Sequence, residues 1–220
     1  REIRDLRRRI TFKHVSEILD QLQDQIEFAM LHPEDERLSV IELTKRLEEV
    51  ADLVQQHSNG LYIERVRAFL FKLRLFGLHF ASMDIRQDSR VIQSALDDAL
   101  ESMDMDVSVF RAKSKKEQVD FLFSWSTNEP CGPLKNERHQ DVLESLRVMR
   151  KIQGQNGERA CHRFIISNCR GVLDVAAVYA LTRSVGADQR PAVDIVPLFE
   201  TIADLDGAHN EMQALYAHPE

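Results

Sequence analysis

V-D-I-V-P-L-F-E-T, residues Val193–Thr201, is the stretch from which the rest of the chain is read. A short apolar run rich in branched residues and ending on an acid has the form of a buried strand. Pro197 interrupts it, because proline cannot donate to a central ladder. Thr201 and Asp204 then have the spacing of a capping box, and Ile202, Leu205, Met212 and Leu215 recur at helical spacing. Glu200 therefore falls where a strand stops and a helix begins, which in parallel α/β folds is where chemistry is placed.

Working outward, two further stretches share this form. Gly77–Gln87 alternates with period two, which puts Leu78, Phe80, Ser82, Asp84 and Arg86 on one face of a strand. Arg163–Cys169 (R-F-I-I-S-N-C) is a second apolar run, followed by helical spacing through Val172, Val175, Ala176 and Tyr179. Between them Val91, Ile92, Ala95, Leu96 and Leu100 mark one helix. Ser114 with Glu117 caps another, and Val142, Leu146 and Met149 mark a third. Met103–Asp106, Asn128–Pro133 and Gly186–Pro191 read as loops. Strands alternating with helices imply parallel pairing through right-handed crossovers, hence an α/β layer or barrel segment. Three strands are too few to close a barrel of eight.

The first third is helical throughout. Val15, Ile18, Leu19, Leu22 and Ile26 form one stripe, closed at His32-Pro33. Ser39 with Glu42 opens the next helix, which carries Leu43, Leu47, Val50 and Val54 and stops at Asn59-Gly60. A third spans about Leu61–Leu75 and buries Val66, Phe69, Leu70 and Leu73. The chain thus divides into a helical region, 1–75, and an α/β region, 76–220.

Composition excludes several classes. With 43% hydrophobic and 30% charged residues the chain is an ordinary globular protein. A net charge of −7 favours neither nucleic acid nor an anionic membrane. The basic run Arg1–Arg9 contains Glu2 and Asp5 and reads as a solvated helix face rather than a nucleic-acid arm. No apolar run reaches a membrane span, and no signal-peptide pattern opens the chain. Three cysteines without C-x-x-C spacing point to free thiols in a reducing, cytoplasmic setting.

Few residues carry chemistry by spacing alone. Arg86 has the guanidinium fork that suits an anionic substrate, with a structural Asp84–Arg86 ion pair as the alternative. Glu200 suits a hard divalent cation such as Mg²⁺ or Mn²⁺, or simply an acid favoured beside a helix N-terminus. Arg170 adds positive charge to the same mouth or faces solvent from its loop. His79 reads as a strand residue rather than a ligand. No H-E-x-x-H, G-x-G-x-x-G, P-loop or G-x-S-x-G is present.

Three separated segments carry a resemblance. F-G-L-H-F-A-S-M-D-I-R-Q-D-S (Phe76–Ser89) is similar to a conserved strand of the phosphoenolpyruvate carboxylase family. N-G-E-R-A-C-H-R-F-I-I-S-N-C (Asn156–Cys169) with Asp174-Val175 resembles the next strand and helix, where that family reads Y-I-I-S-M and D-V-L-A-V. V-D-I-V-P-L-F-E-T-I-A-D-L (Val193–Leu205) resembles its V-V-P-L-F-E-T-x-x-D-L segment. Asn168-Cys169 departs from the usual Met. The resemblance implies a helix-rich α/β fold, part of a TIM-type (β/α) barrel with parallel strands, preceded by an all-α region. It implies carboxylation of phosphoenolpyruvate by bicarbonate to oxaloacetate and phosphate, with Mg²⁺ or Mn²⁺ as cofactor. By position, Glu200 is the metal ligand and Arg86 a substrate-anion arginine, with Asp84 and Arg170 as secondary candidates.

The same resemblance places the family's catalytic histidine before Arg1, and its second metal carboxylate, lysine and glycine- and arginine-containing loops beyond Glu220. The expectation is a central piece of a longer enzyme, with no complete catalytic set and no activity alone. Open barrel edges predict self-association into a homo-oligomer. The rival reading is a non-catalytic α/β scaffold derived from the family; another metal-dependent enolate enzyme is disfavoured by the strand count.

Overall fold

The computed structural model describes residues 1–32, 38–125, 131–186 and 190–219. They form two compact units, Arg1–Ala81 with Gln155–Gly157, and Ser82–Gly154 with Glu158–Glu220. Pro33 and residues 128–130 and 187–189, which fall in three of the turns expected from sequence, lie outside the described residues.

The first unit is built from α1 (Glu2–Arg9), α2 (Lys13–Leu31), α3 (Val40–His57) and α4 (Ile63–Phe76). Its core holds Leu19, Leu22, Leu47, Val50, Val54 and Val66, each fully buried and each on the expected stripe. α1 carries Glu2 and Asp5 in its first turn and Arg7, Arg8 and Arg9 in its last, the arrangement its dipole favours. The basic run is a solvated face: Arg7 pairs with Asp20, and Arg9 lies 3.2 Å from Asp5. α3 starts on Ser39, whose hydroxyl accepts from the Glu42 N–H at 3.3 Å. It ends at Asn59 and Gly60, whose φ angles of 48° and 74° reverse the chain. The Gly60 N–H returns to the Val54 carbonyl at 3.1 Å, which satisfies one of the carbonyls left open at the helix end.

The second unit contains a three-stranded parallel sheet in the order β1 (Met83–Asp88), β2 (Cys161–Ser167), β3 (Asp194–Pro197). Between β1 and β2 the chain forms α5 (Ser89–Ser102), α6 (Val107–Arg111), α7 (Lys115–Ser124) and α8 (Glu137–Asn156). α9 (Val172–Ser184) joins β2 to β3, and α10 (Ile202–Tyr216) follows β3. The capping boxes read at Ser114–Glu117 and Thr201–Asp204 are both made. Buried Gln153, near the end of α8, straps the strand entries. Its amide nitrogen donates to the Cys161 and Ala192 carbonyls at 2.7 and 2.6 Å, and its oxygen accepts from the Ala192 N–H at 3.0 Å.

The first strand is shorter than its alternation implies. Gly77 has φ 54° and ends α4, and Phe80 has φ 60°, so residues 77–82 turn instead of extending. Phe80 is 82% exposed and stacks on Phe76 at 5.8 Å. His79 accordingly lies in a turn, not in a strand. Alternating polarity is necessary for a half-buried strand, but two residues of positive φ override it.

One face of the sheet belongs to the core. Ile85, Phe164, Ile166 and Ile195 pack with α5, α8 and α9 residues such as Leu96, Leu146 and Val178. By strict alternation the other face presents Asp84 and Arg86 from β1, Arg163 and Ile165 from β2, and Asp194 and Val196 from β3. β1 and β3 are outer strands, each with one edge unpaired among the described residues. Pro197, last in β3, is opposite Ile166, and the ladder closes through the Leu198 N–H to the Ile166 carbonyl at 3.0 Å. Proline is thus tolerated at a strand end.

Candidate active site

The carboxyl ends of the three strands meet at one mouth. Arg86 projects from the second half of β1, Ser167 ends β2, and Glu200 follows β3 by three residues. The Arg86 Nη2 lies 2.6 Å from the Glu200 Oε1, joining residues 114 apart in sequence. Their side chains are 59% and 36% exposed. A contact so open to solvent contributes only on the order of 0–1 kcal/mol. Its value is positional: a guanidinium and a carboxylate share one open point at the end of a parallel sheet.

Asp84 is not at this mouth. It is the second residue of β1, at the amino end, opposite Arg163, whose Nη1 lies 3.3 Å from its Oδ1. The expected Asp84–Arg86 pairing is replaced by Asp84–Arg163 and Arg86–Glu200. Both join separate strands or strand ends, which a short-range reading cannot see. Arg170 lies in the loop after β2, exposed, with no side-chain hydrogen bond or ion pair among the described residues.

Asp88 is a member of this edge that spacing arguments missed. As N-cap of α5 it accepts the Arg90 N–H at 2.9 Å and grips the Arg90 guanidinium through both oxygens at 2.9 Å. The Arg90 guanidinium holds the Asp88 carboxyl down at about 2, helped by the Arg90 N–H and the Asn168 side chain and opposed by burial. An Asp directly before a helical stripe is a recognised start signal, and that signal was available. The Ser89 hydroxyl donates to the Asn168 carbonyl at 2.7 Å, stitching the loops after β1 and β2. Asn168 has φ 56°, a conformation that asparagine adopts more readily than most residues. Cys169 is fully buried, and burial pushes its thiol up to about 11, so it is a packing residue rather than a nucleophile.

Glu200 is the candidate here for a hard cation. Its Oε1 is engaged by Arg86, and its other oxygen has no partner among the described residues. No group of three or more His, Cys, Asp or Glu able to hold a metal occurs among the described residues. Glu200 can therefore supply one oxygen to a Mg²⁺-like ion, which commonly takes one or two protein carboxylates and completes its shell with water and substrate.

Fold and site together define a helix-rich α/β protein with a parallel sheet, bearing an arginine and a carboxylate at the carboxyl ends of its strands. The family model described as phosphoenolpyruvate carboxylase matches residues 2–220. Phosphoenolpyruvate carboxylase of Xanthomonas campestris pv. campestris is 33% identical over 184 residues, covering 81% of this chain and 20% of the relative. That of Nitrosomonas eutropha is 29% identical over 180 residues, covering 78% and 19%. That of a Synechococcus strain is 28% identical over 168 residues, covering 73% and 16%. The chain belongs to the phosphoenolpyruvate carboxylase family, and it spans at most a fifth of the length of these curated relatives.

Proposed function

We propose that this chain serves the carboxylation of phosphoenolpyruvate by bicarbonate, giving oxaloacetate and phosphate, as a section of a (β/α) barrel with Arg86 and Glu200 at its mouth. The observation that carries the reading is the Arg86–Glu200 contact, because family membership alone does not say that these two residues meet. In this reading Arg86 takes an anionic group of phosphoenolpyruvate through its fork. Glu200 contributes an oxygen to Mg²⁺ or Mn²⁺, which supplies positive charge against the oxyanion charge that develops during reaction. Arg170 adds positive potential to the same mouth. The barrel reading is supported by a parallel sheet with helices over one face and charged and branched residues on the other, since parallel sheets are ordinarily covered on both. We place the protein in the cytoplasm, as a homo-oligomer.

One arginine and one carboxylate fall short of a carboxylation site, so the chain alone is expected to form no oxaloacetate from phosphoenolpyruvate and bicarbonate. The decisive test is Glu200→Ala in a full-length carboxylase carrying this segment. As an acid beside a helix N-terminus its loss costs the fold about 0.3–1 kcal/mol. As a metal ligand its loss raises the barrier by several kcal/mol, roughly a hundredfold or more in turnover at saturating Mn²⁺. Near-normal turnover and metal affinity in Glu200→Ala would leave the residue a helix-end acid only and remove its role as metal ligand. Arg86→Ala should instead act chiefly through the KM for phosphoenolpyruvate.

A further inference from the structure

α10 begins two residues after Glu200 and yet buries none of its residues. Ile202, Leu205 and Tyr216 are 80%, 59% and 79% exposed, and Leu215 is the apolar residue of the helix that packs against the core. A helix ordinarily derives its position from a buried stripe. Here that stripe is reduced to Leu215 and the half-buried Met212, so part of the helix's position comes from elsewhere.

It comes from a polar contact with the start of α9. That helix opens on Gly171, which has no side chain, and no side chain caps it locally. The cap is supplied from α10: the Glu211 Oε2 accepts the Val172 N–H at 3.0 Å. A helix N-terminus welcomes a carboxylate both through its unsatisfied N–H groups and through its dipole. Gly171 makes the approach possible. A Cβ there would stand 2.1 Å from the Glu211 Oε2 and 2.6 Å from its Cδ. The Gly171 φ of 148° is also one that residues with a side chain avoid. Just beyond the C-terminus of α10, the His218 Nε2 lies 3.4 Å from the Asp120 Oδ1, and its ring lies 4.5 Å from that of Phe123. Glu211 also forms part of the wall of a cavity of about 1270 Å³, together with Val119, Arg170 and Val172.

We propose that Glu211 is a positioning residue for Glu200, seated by Gly171. The sheet holds the chain up to Leu198, whose N–H and carbonyl bond to Ile166 and Cys169 at 3.0 and 3.2 Å. Beyond it the chain passes through Glu200 into the capped first turn of α10, and the helix runs unbroken from Ile202 through Glu211 to Tyr216. Fixing Glu211 on α9 therefore fixes the direction in which the chain leaves the sheet, and with it the carboxylate that meets Arg86. The importance of that carboxylate rests on the reading of Glu200 above; the seating of α10 does not.

The test uses nitroxide labels on cysteines introduced at Ser94 in α5 and Gln213 in α10, both exposed, the native cysteines being buried. Pulsed electron resonance gives the distance distribution, and the Arg86 side-chain N–H resonance reports the Glu200 contact. Glu211→Ala and Gly171→Ala are each expected to widen the distribution at least twofold and to shift the Arg86 signal to its position in Glu200→Gln. Glu211→Gln retains an acceptor oxygen and is expected to restore both; Glu211→Asp, one methylene shorter, falls between and serves should the alanine variant not fold. An unchanged distribution and Arg86 signal in the alanine variants, or a lowered urea midpoint with the Arg86 signal intact, overturns the proposal. Mn²⁺ relaxation of the wild type against Glu200→Gln, run separately, tests the metal reading: no difference there sinks the role of Glu200 while leaving the seating of α10 standing.

Discussion

At the scale of single residues, Asp88 is the group whose environment makes the sharpest statement. Its carboxyl, normally near 3.8, is held at about 2 in the folded chain by Arg90. A depressed carboxyl stabilises the fold fully above its unfolded value, and here that contribution is lost as pH falls from 3.8 towards about 2. Asp88→Ala should lower stability at pH 7 by about 0.5–2 kcal/mol through the missing cap. Urea titrations of both proteins at pH 7 and pH 2 check the sign: the gap between them should shrink in acid. A gap that stays constant would show that the carboxylate charge contributes nothing. Residues such as Ser114 and Thr201 were readable because a capping box acts over three positions. Asp84 escaped a local reading for the opposite reason: its partner Arg163 comes from another strand, and only the register of the ladder brings them together.

At the scale of elements, the buried strap at Gln153 and the exposed cap at Ser114 make a useful contrast. Gln153→Leu deprives the Cys161 and Ala192 carbonyls and the Ala192 N–H of their side-chain partner where two strands begin. A loss of about 2–4 kcal/mol is expected from those stranded groups. Ser114→Ala opens a capping box in water and should cost only about 1 kcal/mol. Thermal melts of the two variants rank them, and equal losses would mean that the strap is replaced by water. Helices were the most legible elements, since the stripes of α2, α3, α4 and α5 are local and repeat. Residues 77–82 show where pattern failed: a left-handed turn at Phe80 leaves the alternation of side chains intact on paper. Nor could spacing show that Ile202 and Leu205, correctly placed on a helix, would face outward, because what a stripe packs against is not written in the stripe.

At the scale of the molecule, two strand edges unpaired among the described residues and the bare apolar side of α10 predict association that rises with concentration. Sedimentation velocity of the chain should show species larger than a monomer, and Ile202→Lys with Leu205→Lys should reduce them. A single monomeric boundary at high concentration would instead mean that the chain shields its own edges. The parallel order of the sheet has a further consequence, which concerns synthesis. Met83 pairs with Cys161, so α5 through α8 must all emerge from the ribosome before β1 can pair with β2. During that interval the nascent chain carries Ile92, Leu96, Leu143 and Leu146, all destined for full burial, without β2 and β3 to help cover them. Non-local pairing of this kind is slow and leaves partly made chains open to capture. A chaperone would meet this protein chiefly between the completion of β1 and the arrival of β2.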